Sequence, residues 1–351
     1  MSVPSVQCSQ RGISAMKFLV TGGAGYLGSH TAVSLLNAGH EVTILDDFSN
    51  STASCIERIT RAAGCAPALV AGDVRDDECL KRIFESASYD GVFHFAGLKS
   101  VGCSVREPVH YYSVNVGGTI ALLTAMRRHD VRQIVFSSSA TVYDTEGGSP
   151  LTELAPAGRP AHAYGRSKQM VEQILIDQVA ADSSWSVAIL RYFNPAGAHP
   201  GALLGEAPMG APNNLVPYIA QVAAGARSQL DIFGGDYPTP DGTGMRDYVH
   251  VMDLARGHTR ALEFLQEHPG LHVWNLGAGR AYSVLEVVNT FAAVSGRPIP
   301  YRITARRPGD TACYWADISK AARELQWVPE YTLLDMVQHA WAWQQATLEE
   351  A

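Results

Sequence analysis

The segment MKFLVTGGAGYLGSH, residues 16–30, constrains the fold more than any other. Its apolar start reads as a strand, which runs directly into Gly22, Gly25 and Gly28. SHTAVSLLNAGH, residues 29–40, then reads as a helix with a glycine near its C-terminal end. Glycine permits a sharp turn and a close backbone approach to a pyrophosphate. The helix start adds free N–H groups and the positive end of its dipole. A glycine pattern alone is weak, but a strand before it and a helix after it make a candidate dinucleotide loop.

The alternation continues down the chain. EVTILDD (41–47), PALVAGDV (67–74), GVFHFAG (91–97), RQIVFSSSA (132–140) and WSVAILRYFN (185–194) read as further strands. Helical stretches at 76–88, 107–129 and 163–182 lie between them. Strands alternating with helices imply βαβ units, right-handed crossovers and a parallel sheet covered on both faces. The expected class is α/β: a Rossmann-type doubly wound parallel sheet over residues 16–192, with a second, smaller α/β substrate-binding lobe over 193–351. Residues 195–214 lack clear periodicity and read as a long functional loop. The short strands LDIFG, LHVWNLG and PIPYRIT are assigned to the smaller lobe, and a segment near 245–260 is expected to return to the first.

Composition narrows the partners. With 27 Lys and Arg against 34 Asp and Glu, the net charge of −7 gives no support to a nucleic-acid or anionic-membrane surface. No apolar run approaches the ~20 residues of a membrane helix. The six cysteines form no C-x-x-C pair and show no metal-ligand spacing with His. They read as free thiols in a reducing, cytoplasmic compartment, and no metal is expected. Residues 1–15 lack an apolar signal core and are expected to be a disordered, dispensable tail.

Asp46 ends the second strand, eighteen residues after Gly28. An acid there can hydrogen-bond an adenine-ribose hydroxyl and repel a 2′-phosphate, and DFSN after it offers no cation for such a phosphate. NAD is therefore expected rather than NADP. Asp73, in AGDV, is the next polar candidate near the adenine. In AYGRSK, Tyr164 and Lys168 are four apart, so a helix stacks them on one face.

The glycine loop, this later Y-x-x-x-K and Ser139 at the end of an earlier strand together resemble the extended short-chain dehydrogenase/reductase superfamily. FAGLKSVGCSV (95–105), RYFNPAGAHP (191–200), PNNLVPY (212–218), GTGMRDYVHVMDLA (242–255) and NLGAG (275–279) narrow the resemblance to the UDP-galactose 4-epimerase family, over about residues 16–345. The resemblance implies interconversion of UDP-galactose and UDP-glucose through NAD-dependent oxidation at C4, rotation of a 4-keto sugar and re-reduction. A free tyrosine has a pKa of about 10 and is a poor base near neutrality. A nearby ammonium favours the phenolate. Tyr164 is thus expected to take the 4-hydroxyl proton, with Lys168 lowering its pKa and Ser139 orienting the reacting oxygen.

The same resemblance implies a cofactor set of Gly22, Gly25, Tyr26, Leu27, Gly28, Asp46, Asn50, Asp73, Val74, Phe95, Ala96, Gly97, Lys99, Asn115, Ser137, Tyr164, Lys168 and Tyr192. Lys99 would approach the cofactor phosphates and Tyr192 the nicotinamide. The implied substrate set is Ser139, Tyr164, Phe193, Asn194, Asn214, Leu215, Phe233, Arg246, Arg307, Asp310 and Tyr314. Arg246 and Arg307 would hold the diphosphate, since guanidinium forks suit phosphate geometry. Asp310 would reach the uridine ribose, Phe233 the uracil, and Tyr314 the sugar. A homodimer through helices 107–129 and 163–182 is also implied. Asp144 and Val114 depart from the family pattern, away from the Tyr–Lys pair. One rival is a nucleotide-sugar dehydratase, disfavoured because Ser139-Ala140-Thr141 carries no acid–base carboxylates. The other is a non-catalytic NAD-binding protein, disfavoured by retention of Tyr164, Lys168 and Ser139.

Overall fold

The computed structural model describes residues 15–144, 148–210, 212–307 and 310–349. The expectation for the tail falls almost wholly on residues 1–14, outside these. The first half alternates β1 (Lys17–Thr21), α1 (Tyr26–Asn37), β2 (Glu41–Asp46), α2 (Ser54–Ala63), β3 (Ala68–Ala71), α3 (Asp77–Ser86) and β4 (Gly91–His94). It continues with α4 (Val101–Arg106), α5 (Pro108–Tyr112), α6 (Gly118–Arg128), β5 (Gln133–Ser139), α7 (Ala163–Ala181), β6 (Ser186–Tyr192) and β7 (Asn194–Ala196). The second half adds α8 (Leu215–Ala223), β8 (Leu230–Phe233), β9 (Met245–Arg246), β10 (Tyr248–His250), α9 (Val251–Glu267) and β11 (Leu271–Leu276). β12 (Tyr282–Ser283), α10 (Val284–Ser295), β13 (Tyr301–Thr304), β14 (Cys313–Tyr314), α11 (Ser319–Glu324) and α12 (Leu333–Glu349) complete it.

Seven strands form one sheet in the order β11-β6-β5-β4-β1-β2-β3, every pair parallel. Side chains alternate between its faces. Phe18 and Val20 of β1 join one core with Ala188 and Leu190 of β6, under α1 and α9. Leu19 joins the other with Ile134 and Phe136 of β5 and Val187 and Ile189 of β6, under α3, α6 and α7. Both faces are buried, so these strands are near-continuously apolar. Chain order reverses between β1 and β4, and the crevice beyond their carboxyl ends is where such sheets bind ligands.

Two expectations need correction. LHVWNLG, assigned to the smaller lobe, is β11 and pairs with β6 along its full length, Leu271 to Val187 through Leu276 to Tyr192. Trp274 and Leu276 are fully buried in the first core. Short length hid the strand's allegiance, because a buried edge of a parallel sheet and a small-lobe strand look alike in sequence. The helix expected over 107–129 is interrupted by a π turn at Ser113–Gly117. Such turns recur at functional sites, and this one carries Asn115. The long loop after Asn194 is also more ordered than its composition suggests: β7 pairs with β10, and Ala198 bridges Gly205.

A separate core built on α8, α10 and α12 with β8 supports the remaining short strands. Cys55, Cys65, Cys79, Cys103 and Cys313 are free thiols. Among the described residues no helix is long and apolar enough to cross a membrane. Trp327, fully buried, donates its indole N–H to the Asp253 carbonyl at 2.8 Å and locks α9 and α11 onto the sheet. Trp327→Ala should therefore cost about 3–5 kcal/mol, read as a lowered denaturant midpoint.

Candidate active site

The glycine loop leaves β1 at the chain-order reversal. Gly22 has φ +67°, a backbone region that disfavours other residues, and donates its N–H to the Leu45 carbonyl at 2.7 Å. A Cβ on Gly28 would lie 2.2 Å from the Gly22 carbonyl oxygen, so α1 touches the loop backbone to backbone. Gly25 caps α1 without any side-chain hydrogen bond, and Tyr26 and Leu27 form its first turn. Asp46 is buried. Its carboxylate accepts from the Ala24 N–H at 2.9 Å, the Phe48 N–H at 2.9 Å and the Ser51 hydroxyl at 2.7 Å. It fixes the loop, and one of a carboxylate's roughly four acceptor positions stays open.

Phe95, Ala96 and Gly97 follow β4 along the same crevice. A Cβ on Gly97 would meet Asn115 Oδ1 at 3.1 Å and Lys168 Nζ at 3.9 Å. Asn115 is wholly spent on its neighbours. It accepts from the Leu98 N–H at 2.7 Å and donates to the Leu98 carbonyl at 3.0 Å and Ser167 Oγ at 2.9 Å. Asp73 is held by Arg75, whose Nε lies 3.0 Å from both carboxylate oxygens, and this pairing lowers its pKa. Val74 is buried against Gly118, and Asn50 is exposed. Tyr192 is buried with its hydroxyl donating to His258 Nε2 at 2.5 Å, because His258 Nδ1 donates to the Leu254 carbonyl. Its hydroxyl is also close enough to Ser137, on the crevice side, for that side chain to influence its pKa.

Helix α7 places Tyr164 in its first turn. His162 caps the helix by accepting from the Gly165 N–H at 3.0 Å. Tyr164 is close enough to Ser139, at the end of β5, for that hydroxyl to influence its pKa, and Ser139 Oγ itself accepts from the Thr141 N–H at 3.2 Å and the Thr141 hydroxyl at 3.0 Å. Lys168, one turn on, is buried and donates to the Ser137 carbonyl at 2.7 Å, with its ammonium 4.8 Å from the Phe136 ring centre. Burial pulls Lys168 from 10.5 to about 8, opposed by the Glu172 carboxylate. The expected depression of Tyr164 is not found. Burial raises its pKa, the neighbouring Ser139 hydroxyl lowers it in part, and the Lys168 ammonium is directed at Ser137.

On the far side, Asn194 Oδ1 lies 3.5 Å from the Tyr314 hydroxyl, and the Phe193 and Tyr314 rings are 5.8 Å apart. Arg246 stands 5.0 Å over Tyr314 and donates to the Met245 and Thr311 carbonyls at 2.8 and 2.9 Å. Arg307 bonds Asp310 at 2.9 Å and lies 4.7 Å over Phe233, an aromatic left 39% exposed at the end of β8. Lys99 pairs with Glu206 at 2.6 Å, and Asn214, just before Leu215 opens α8, bonds the same carboxylate. The structure thus gathers Gly22–Gly28, residues 95–97, Ser137, Ser139, Tyr164 and Lys168 at one crevice. It sets Asn194, Arg246, Arg307, Asp310, Phe233 and Tyr314 as a second group linked through Tyr314.

The sequence model of the NAD dependent epimerase/dehydratase family matches residues 18–277. The chain belongs to this family. A UDP-glucose 4-epimerase of Yersinia pestis is 53% identical over 94% of the chain and 97% of its own length. One of Bacillus subtilis is 51% identical over 95% and 98%. The crystal structure of the Bifidobacterium longum UDP-glucose 4-epimerase in complex with NAD+ and UDP superposes with a TM-score of 0.92 at 47% identity, covering 95% of this chain and all of that one.

Some site residues of this family member escaped sequence reasoning. Asp247 is fully buried and accepts from the N–H groups of Ala278 (2.6 Å), Gly279 (3.2 Å) and Ala316 (3.0 Å), tying three segments behind Arg246. Burial raises its pKa and those N–H groups pull it back down. A lone acid between two short strands carries no signal of this. Glu172, by contrast, stands one turn after Lys168 and could have been flagged from that spacing. It takes Ser138 Oγ at 2.5 Å and Arg191 Nη2 at 2.6 Å.

The tight loop gives a direct test. Gly28→Ala forces a methyl onto the Gly22 carbonyl and should cost about 1–3 kcal/mol of stability, read in a chemical denaturation curve.

Proposed function

We propose that this protein interconverts UDP-galactose and UDP-glucose with bound NAD, Tyr164 being the base. The observation that carries the reading is Tyr164 beside Ser139 with a buried Lys168 one helical turn on, at the crevice beyond β1 and β4.

The residues fit the cofactor. The backbone contact of Gly22 with Gly28 leaves the loop bare of side chains, and α1 starts with N–H groups that no side chain caps. Gly22, Gly25, Tyr26, Leu27 and Gly28 would cradle the pyrophosphate. Asp46 and Asn50 would face the adenine ribose, Asp73 and Val74 the adenine, and Phe95, Ala96, Gly97, Ser137 and Lys168 the nicotinamide half. NAD supplies a reversible hydride acceptor for C4. The chain's own work is to move one proton and to hold one diphosphate. Tyr164 takes the 4-hydroxyl proton and returns it, Ser139 orients the oxygen, and Lys168, bonded to the Ser137 carbonyl, holds the nicotinamide half in register with it. Asn194, Asn214, Arg246 and Arg307 anchor the UDP, with Phe233 and Asp310 at the uridine. Tyr314 and Phe193 give the sugar a mostly aromatic wall against which it can turn.

In this reading residues 16–192 form the cofactor-binding domain, joined by later segments around α9 and β11, and the rest of 193–351 holds the UDP-sugar. The enzyme works in the cytoplasm. Two copies associate through α4–α7, where Val101, Val105, Val109, Ile120 and Met170 are exposed apolar side chains on neighbouring helices. A combined Val109→Glu and Met170→Glu variant should sediment as a monomer while the wild type sediments as a dimer.

Incubating the purified protein with UDP-galactose and following UDP-glucose tests the reaction. Tyr164→Phe should lower the rate about 10²–10⁴-fold. Because the phenolate is the active form and burial raises its pKa, kcat/KM should climb with pH above neutrality. Ser139→Ala removes the interaction that lowers this pKa and should push that limb to higher pH. A limb that stays in place, or a Tyr164→Phe enzyme of full activity, would reject Tyr164 as the base.

A further inference from the structure

Glu206 stands where the two halves of the site meet. Its side chain is only 10% exposed. Oε1 accepts from Lys99 Nζ at 2.6 Å and from Asn214 Nδ2 at 2.8 Å, and Oε2 lies 3.0 Å from the same Nδ2. These donors come from distant parts of the chain: Lys99 follows β4, and Asn214 precedes α8.

The acid is held from behind. Its backbone carbonyl accepts from Trp343 Nε1 at 3.3 Å, and a Cβ on Gly205 would sit 2.4 Å from that indole. The Ala198–Gly205 bridge closes the loop, and the Tyr26 hydroxyl donates to the Gly197 carbonyl at 2.6 Å. Thus the loop carrying Glu206 is fixed by α12 on one side and by the first turn of α1 on the other.

Asn214 confirms that the carboxylate sets its neighbours. It occupies the N-cap of α8, where an asparagine side chain ordinarily bonds its own helix, yet it makes no such bond. Its amide is committed to Glu206 instead.

We propose that Glu206 is a positioning residue that couples cofactor binding to UDP-sugar binding, by setting Lys99 and Asn214 with one carboxylate. The inference rests on the reading above, in which Lys99 serves the cofactor and Asn214 the nucleotide-sugar. Both donors share Oε1 and Asn214 also reaches Oε2, so an amide in its place would lose the charge that pairs with Lys99 and turn an NH2 group towards the Asn214 donor. A ligand that keeps Lys99 in its Glu206-bound rotamer also keeps the carboxylate in place for Asn214, so less ordering remains for the second ligand. The coupling must act equally in both directions.

The test measures UDP affinity by calorimetry and the NAD retained after gel filtration, for Glu206→Gln, Lys99→Met, Asn214→Ala and the doubles. Lys99→Met should weaken chiefly NAD retention, and Asn214→Ala chiefly UDP binding. Glu206→Gln should weaken both, each about tenfold. In the Glu206→Gln background, Asn214→Ala should add less than about twofold to the UDP dissociation constant, because contacting residues are not additive. Full additivity, or loss on one side only, would overturn the coupling, as would a lowered Tm with both affinities intact. If Glu206→Gln does not fold, Glu206→Asp, charged but too short to span both donors, carries the same expectations. Neither readout needs turnover, so a wild type inactive on UDP-galactose would sink the proposed function and leave this test standing.

Discussion

Three backbones meet at Gly22, and the rest of the site is arranged around that meeting. Gly22 donates to β2 through Leu45, its carbonyl lies against Gly28 of α1, and a Cβ on it would fall 2.7 Å from the Ala96 amide nitrogen after β4. No side chain fits between them. The close approach pins the start of α1 over the chain-order reversal and brings residues 95–97 to the same edge. Asp46 finishes the arrangement by taking the Ala24 N–H, so the acid at the end of β2 shapes the loop as well as bordering it. β5 lies next to β4, and its last residues reach the crevice from the other side.

Helix α7 sets a costly charge against that neighbouring strand. Burial outweighs the Glu172 attraction and takes Lys168 from 10.5 to about 8, a net cost of about 3 kcal/mol at roughly 1.4 kcal/mol per unit. The Ser137 carbonyl and the Phe136 ring offset part of it directly. Glu172 adds opposite charge from the next turn, while Arg191 and Ser138 hold that carboxylate in place. Ser138 lies between Ser137, which accepts from Lys168, and Ser139, beside Tyr164. One buried network therefore sets the strand end, the ammonium and the tyrosine together.

Periodicity made the sheet legible. Alternating apolar residues in β1, β5 and β6, helices between them and glycines at one turn leave few topologies open. The Tyr–Lys pair was legible for a similar reason, since both ends lie on one helix and their spacing is local. What stayed hidden depends on contacts between distant segments. β11 reads as an isolated short strand until β6 is beside it. Asp247 gathers N–H groups from residues 278, 279 and 316, and Glu206 gathers side chains from 99 and 214. The pKa of Tyr164 was misjudged because helical spacing brings Lys168 near without fixing where its ammonium points, and burial, which spacing does not report, outweighs it.

The group of residues proposed to hold the nucleotide-sugar divides into a rigid part and a loose one. Arg246 is held by two backbone carbonyls and by Asp247 bracing the strand behind it. Arg307 is tied to Asp310 and stacked on Phe233. These groups suit a diphosphate and a base that must stay put. Around Tyr314 the contacts are different in kind: ring against ring at 5.8 Å, and a hydroxyl 3.5 Å from its nearest acceptor. An epimerase that returns hydride to the opposite face must let the sugar turn without releasing the nucleotide. Strong directional bonds at the sugar would oppose the turn, and weak ones at the UDP would permit escape. The observed split, charged and braced at one end and aromatic and loosely bonded at the other, meets both demands.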